Sequence, residues 1–207
     1  MAGLLLASML AAASAPNPVQ PTVSPPITVT ARRLEDAEAA LRACIARHCP
    51  PDEDINATLA YAESLFVTGD YQEARTALRR SLSRNRGAAA RFPVPVSDLY
   101  RANALVANHL GIEADYERST WGILGALKKG IPTPDGRHLG ARMEIAAMTS
   151  RLHGLAEGRN AYDKLARDAD KAGRPDIAAM ARLRSAGNSY KLRPNDSTRD
   201  QILAIAR

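Results

Sequence analysis

Aromatic side chains make up only 4% of this 207-residue chain, too few for the half-buried faces of a β-sheet. Alanine supplies much of the 45% apolar fraction instead, in runs such as Ala39-Ala40, Ala88-Ala89-Ala90 and Ala146-Ala147. Alanine is the best helix former, and its small side chain lets helices approach closely. The composition therefore predicts an all-α chain, long enough for one domain with a substantial core. Recognisable catalytic chemistry is missing as well. The sequence contains no nucleophile elbow, Walker loop, HExxH pair or dinucleotide-binding glycine pattern. Its scattered acids give no paired-carboxylate signature, and although Glu144 and Glu157 could sit in a cleft, nothing in the sequence stands beside them. Neither an enzyme nor a cofactor or metal site is expected.

The net charge of +6 is unevenly placed. Residues 1–100 carry ten Arg against ten acids, so the excess lies in residues 101–207, with eighteen Lys and Arg against twelve acids. A basic half can mark nucleic acid or an anionic surface. The acids are interspersed throughout, however, and that pattern reads as a solvated helical exterior.

The apolar run at residues 4–13 is far too short to span a bilayer. Small residues follow it, and Ala11-x-Ala13 before Ser14 resembles the cleavage site of a secretory signal. Cutting after Ala15 would leave Pro16 just beyond the scissile bond. No Lys or Arg precedes the run, so either the signal is atypical or the true start lies upstream. Prolines 16, 18, 21, 25 and 26 make the next stretch an extended tether. The expected division is a signal at 1–13, a tether at 14–33 and a helical domain at 34–207. The location would be periplasmic or secreted, with no transmembrane span left after cleavage. Residues 27–33 alternate in the manner of a strand and resemble the segment near the mature N-terminus of TonB-dependent receptors, but with no barrel behind them they read as the end of the linker.

Cys44 and Cys49 are the only cysteines. In an exported chain a lone pair is most simply a disulfide. Residues five apart on an unbroken helix are too distant to bridge. Pro50-Pro51 ends the helix that begins near Leu34 around His48, so its last turn can bring Cys49 back under Cys44. Free thiols, or a metal held by Cys44, His48 and Cys49, are the alternatives, and the metal lacks a fourth ligand. His109, His138 and His153 stand alone and read as surface or satisfied core histidines.

The clearest motif spans Ile55–Asn85. Leu59, Tyr61, Ala62, Leu65 and Phe66 precede Gly69-Asp70-Tyr71, and Ala74, Leu78 and Leu82 follow. This resembles a tetratricopeptide (TPR) repeat, a helix–turn–helix unit. Gly69 can take the left-handed conformation that ends a helix, and Pro51-Asp52-Glu53-Asp54 is a start signal with acids at the positive end of the helix dipole. The resemblance puts Tyr71 in the seam between the helices and Ala62 and Ala74 where they cross. An offset of 45 places Ala62 on Ala107, Gly69 on Ala114, Tyr71 on Tyr116, Ala74 on Ser119 and Leu78 on Ile123; a further 39 places Ala107 on Ala146 and Ser119 on Gly158. Gly87–Ser97 reads as an extended loop. Punctuation predicts further helices at about His138–His153, Ala156–Ala172 (capped by Gly173) and Pro175–Leu192, then a short last one. The architecture is thus a TPR-like α-solenoid, irregular toward the C-terminus, with terminal helices capping its ends.

In TPR proteins the first helix of each repeat lines a groove for partner peptides. The resemblance assigns Asn56, Leu59, Glu63, Phe66 and Val67 to that groove in the first unit, and Arg101, Ala104, Asn108 and Ile112 in the second. At helical spacing Leu59 and Phe66 are equally core positions. The paired Lys and Asn that some members use to clamp a carboxylate are not reproduced. The leading expectation is a non-enzymatic scaffold for a protein or peptide. The layout also has a looser likeness to the repeat-bearing region of TonB-type energy transducers, without their C-terminal αβ domain. A different class is a basic module for an anionic envelope surface, lipid or cell-wall polymer. Nucleic acid is disfavoured because no aromatics interleave with Arg75, Arg79, Arg80, Arg84 and Arg86 for base stacking.

Export and cysteine pairing can be tested together. Residues 1–30 fused to a reporter active only outside the cytoplasm should give signal, with an upstream start tried in parallel. Protein recovered there should show both thiols blocked and a mass lower by two hydrogens. A silent reporter from both starts ends the export reading, and two alkylatable thiols end the disulfide reading.

Overall fold

The computed structural model describes residues 34–133 and 135–205, and the expected signal and tether lie outside that range. Among the described residues the chain folds into α-helices alone, joined by short turns and one 3₁₀ segment. They are α1 (Leu34–Ala46), α2 (Pro51–Thr68), α3 (Tyr71–Asn85), α4 (Pro93–His109), α5 (Glu113–Gly130), α6 (Gly136–Leu152), α7 (Leu155–Lys171), α8 (Pro175–Leu192) and α9 (Asp196–Ile205). None of these is long and apolar enough to cross a membrane. Each packs on its successor, and α2 also packs on α4 and α6 on α8, which makes a solenoid of helix–turn–helix units.

Three of the corners share one device. Gly69 (φ 90°) donates to Phe66 O at 3.3 Å, and Asp70 N–H donates to Leu65 O at 2.8 Å. The same pair of bonds recurs at Gly111-Ile112 and Gly173-Arg174, with both glycines at positive φ. Backbone carbonyls left over at each helix end are thereby satisfied. At the end of α1 the left-handed residue is His48 (φ 53°), which turns the chain so that Cys49 N–H donates to Cys44 O at 3.1 Å. Cys44 and Cys49 stand at disulfide distance, their Cα atoms 5.1 Å apart.

Two expectations need correction. Gly87–Ser97 is not an extended loop: a 3₁₀ turn covers Arg86–Ala90, and α4 starts at Pro93 with Val96 and Ser97 buried. Proline suits the first helical turn, where its missing N–H has no partner to lose. The repeat offset is 42, not 45. It carries Asp54, Ile55, Ala62, Ser64 and Leu65 onto Val96, Ser97, Ala104, Val106 and Ala107, all of them buried. It also carries Leu78, Ser81, Leu82 and Asn85 onto Thr120, Ile123, Leu124 and Leu127, again all buried. A second step of 42 takes Ser97, Leu99, Ala104 and Val106 onto Leu139, Ala141, Ala146 and Met148. Offsets of 45 and then 39 therefore align the third unit correctly on the first but displace the second by three residues. Gly111, not Ala114, is the partner of Gly69. Tyr116 stands at the place of Ala74, with Glu113 at that of Tyr71.

Apolar packing is divided along the solenoid. One cluster joins Ile55, Leu65, Leu78, Val96 and Leu99; a second, between α5 and α6, holds Ile123, Leu127, Ile145 and Met148; a third, over α6–α8, holds Leu139, Tyr162, Leu165 and Ala178. Small residues set the spacing. Ala62, Ala104 and Ala146 recur as buried residues midway along α2, α4 and α6. A Cβ on Gly158 of α7 would come within 2.6 Å of the Ser150 Cα on α6.

Buried carboxylates tie the first units together. Asp54 of α2 accepts from Ser81 Oγ at 3.0 Å, from Asn85 and from Arg84 at 2.7 Å, all on the far end of α3. Asp115 of α5 accepts from Arg75 Nε of α3 at 2.9 Å and from Arg118 at 3.0 Å. Hydrogen bonding from Arg75 holds the Asp115 carboxyl below its usual range. Its stabilising effect is therefore complete above the unfolded value near 3.8 and is lost as pH falls through the lowered folded value.

Two predictions follow from this packing. Ala74 is fully buried, so Ala74→Leu should cost about 1–3 kcal/mol by overpacking, whereas Glu63→Lys on the exposed side of α2 should leave thermal melting unchanged. The reverse pattern would show that the repeat frame is wrong. Asp115→Asn should cost about 2 kcal/mol at neutral pH, because it weakens a buried charge-assisted bond. In melts run from neutral to acid, the gap between this variant and the parent should narrow as pH drops below 3.8. A gap independent of pH would remove the carboxylate from the argument.

Candidate functional site

The first helices of the units, α2, α4, α6 and α8, line one side of the solenoid. Close contact joins α2 to α4 and α6 to α8, and none comparable joins α4 to α6. A cavity of about 550 Å³ opens between those two helices, floored by Tyr116 and Thr120 of α5. Its walls are Asp98, Arg101, Leu105 and Asn108 on α4, with Glu144 and Ala147 on α6.

Arg101 spans the gap. Its guanidinium donates to Glu144 from Nε and Nη2, both at 3.0 Å, and to Asp98 at 2.5 Å. Burial works against the Arg101 charge but is outweighed by the hydrogen bonds and charges of Glu144 and Asp98 together, so the group is held even more firmly protonated. Burial raises the pKa of Asp98, with Arg101 opposing the shift. Burial also raises that of Tyr116, against the charge of Arg151, whose guanidinium lies over the ring at 5.6 Å. Asn108 also lines the cavity, and its buried side-chain oxygen has no hydrogen-bond partner among the described residues. A buried acceptor left unmatched costs stability and is satisfied by any incoming N–H. Leu105, 56% exposed, adds an apolar contact at the rim.

The expected groove residues separate into two sets. Asn56 and Glu63 are exposed, as is Val67 at 68%. Leu59 and Phe66 pack onto the core instead. The Phe66 ring meets Tyr71 at 5.0 Å and His109 at 5.4 Å, and Tyr71 lies 4.0 Å from His109, so an aromatic cluster closes α2, α3 and α4 together. In the second unit Arg101 and Asn108 line the cavity, Ala104 forms part of its buried wall, and Ile112 falls in the turn after α4. Asp98 and Leu105 were missed because of the three-residue displacement; an offset of 42 from Asn56 and Glu63 finds both. Glu144, read from sequence as an acid with nothing beside it, is the partner of Arg101. Tyr116 packs against the α5–α6 core and also floors the cavity.

The isolated histidines differ from one another. His109 belongs to the aromatic cluster, and exposed His153 lies 3.1 Å from Glu117. His138 is neither exposed nor satisfied: it is buried, and among the described residues neither ring nitrogen has a partner. Among the described residues, no three His, Cys, Asp or Glu side chains gather as a metal site would require.

No family model matches the chain, and no curated protein matches it either. Solved structures do. One is a Podosopora anserina protein described as kinesin light chain-like, with nearly identical TPR-like repeats; it is 12% identical, with a TM-score of 0.66 over 84% of this chain and 85% of that one. A variant of the same protein gives 13% identity and a TM-score of 0.65 over 83% and 84%. At such identities the likeness is one of fold: this chain is an all-α solenoid of TPR-like repeats.

Proposed function

We propose that this protein is a non-enzymatic scaffold, exported to the periplasm or secreted, that docks a protein or peptide segment between α4 and α6. The observation that carries the reading is the unmatched Asn108 oxygen inside a cavity that already holds an apolar rim and a fixed charge pair. A peptide offers what the cavity lacks, a backbone N–H for Asn108 and an apolar side chain for Leu105 and Ala147. The TPR-like architecture supports protein docking, and the apolar run with its tether supports export. The rival reading, a basic module for an anionic envelope surface, loses strength from the structure. Of the five arginines from Arg75 to Arg86, Arg75 and Arg84 are engaged with buried carboxylates and Arg79 lies 3.9 Å from Asp115, which leaves Arg80 and Arg86 without ion pairs among the described residues.

A photo-crosslinker placed at Leu105 of the full chain, in its native envelope, should capture a protein partner. Ala147→Trp fills the cavity from an exposed position and should abolish capture with melting unchanged. Asn108→Leu removes the unmatched oxygen and should reduce capture about tenfold, the worth of one hydrogen bond, without loss of stability. Raising salt should matter little, whereas binding to an anionic surface would collapse. Undiminished capture by Ala147→Trp would overturn the proposal.

A further inference from the structure

A second cavity lies on the opposite side of the solenoid, between the second helices α5 and α7 and floored by α6. Its volume is about 460 Å³, within the range of small-molecule sites. Leu124, Ile145, Ala161 and Leu165 make most of its surface apolar. Trp121 stands at the rim, 51% exposed.

His138 is the anomaly here. It lines the cavity at 5% exposure, and neither ring nitrogen has a hydrogen-bond partner among the described residues. Whichever tautomer it takes, one buried donor and one buried acceptor go unmatched. Such a side chain in a helical core costs stability that a phenylalanine would not. The charges around it are lopsided. Arg142 is paired with Asp168 at 2.7 Å and Lys164 faces the same carboxylate, whereas Lys128 forms no ion pair among the described residues. Short turns make α5, α6 and α7 antiparallel neighbours, so Lys128 near the end of α5 and His138 near the start of α6 share one end of the cavity. Trp121, Ile145 and Ala161 share the other.

We infer that this cavity binds a small organic carboxylate with an apolar body. The carboxylate accepts from His138 and is balanced by Lys128, and the hydrocarbon lies on Ile145, Leu124 and Trp121. An inorganic anion would leave the apolar wall uncovered, and a neutral hydrocarbon would leave Lys128 without a counter-charge. The site is separate from the groove between α4 and α6, and it stands or falls independently of the scaffold reading.

The protein carries its own reporter, because Trp121 is the only tryptophan in the chain. The full chain should be titrated with sodium decanoate below its micelle concentration, with 1-decanol and with inorganic phosphate, while tryptophan fluorescence is followed. Decanoate should give a saturable change at a concentration about tenfold lower than decanol, and phosphate none. His138→Phe should weaken decanoate binding by about tenfold, the loss of a charge-assisted bond, while thermal melting holds or rises. Lys128→Gln, at an exposed position, should weaken decanoate binding without affecting decanol. The inference fails if decanoate produces no saturable change, if decanol or phosphate binds equally well, or if Lys128→Gln and His138→Phe both bind decanoate like the parent.

Discussion

How closely two helices can approach governs the rest of this structure. Ala62, Ala104 and Ala146 occupy equivalent buried positions, and Gly158 sits against the backbone of Ser150. Crossings this tight exclude large side chains, which is why a chain with so few aromatic residues still builds a dense interior. Dispersion between backbones replaces the area that rings would have buried. Some of the few aromatics close seams, as where Phe66, Tyr71 and His109 join the first unit to the second.

Tight apolar crossings fix distance but do little to fix register, since a helix with apolar residues at every third and fourth position can slide by a turn. The buried polar contacts supply that information. Asp54 engages only the C-terminal end of α3, and Asp115 reaches back from α5 to Arg75. Asn103 donates to Ser119 at 2.7 Å, Asn188 to Ser150 at 2.8 Å and Ser185 to Asp163 at 2.5 Å, which pins later pairs of helices in the same way. A one-turn slip would strand each of these groups unpaired in the interior, at a cost well above that of the slip in packing alone.

The same periodicity explains what could be read from sequence and what could not. Helix ends were legible because Gly69, Gly173, Pro51 and Pro175 have conformational preferences that act locally. The order and number of the hairpins followed from them. The offset between units was not legible to better than a turn, because Ala107 matches Ala62 in a linear comparison as well as Ala104 does. That small error displaced the groove assignment, so Asp98 and Leu105 went unseen while Arg101 and Asn108 were found. Pro93 and Pro95 lie in the Gly87–Ser97 stretch that reads as a loop, yet they open α4. The isolation of His138 and the pairing of Arg101 with Glu144 depend on residues far apart in the chain, and no local signal announces them.

The missing contact between α4 and α6 gives the molecule an uneven stiffness. On the α5 side of that joint Ile123, Leu127, Ile145 and Met148 form a continuous core, and on the other side one guanidinium crosses open space to one carboxylate. The core acts as a fulcrum and the ion pair as a weak spring across its mouth. Bending of the solenoid concentrates there rather than spreading along its length, and the flanks on either side move as levers. Small rotations there are magnified at the far ends, near α1 and α9.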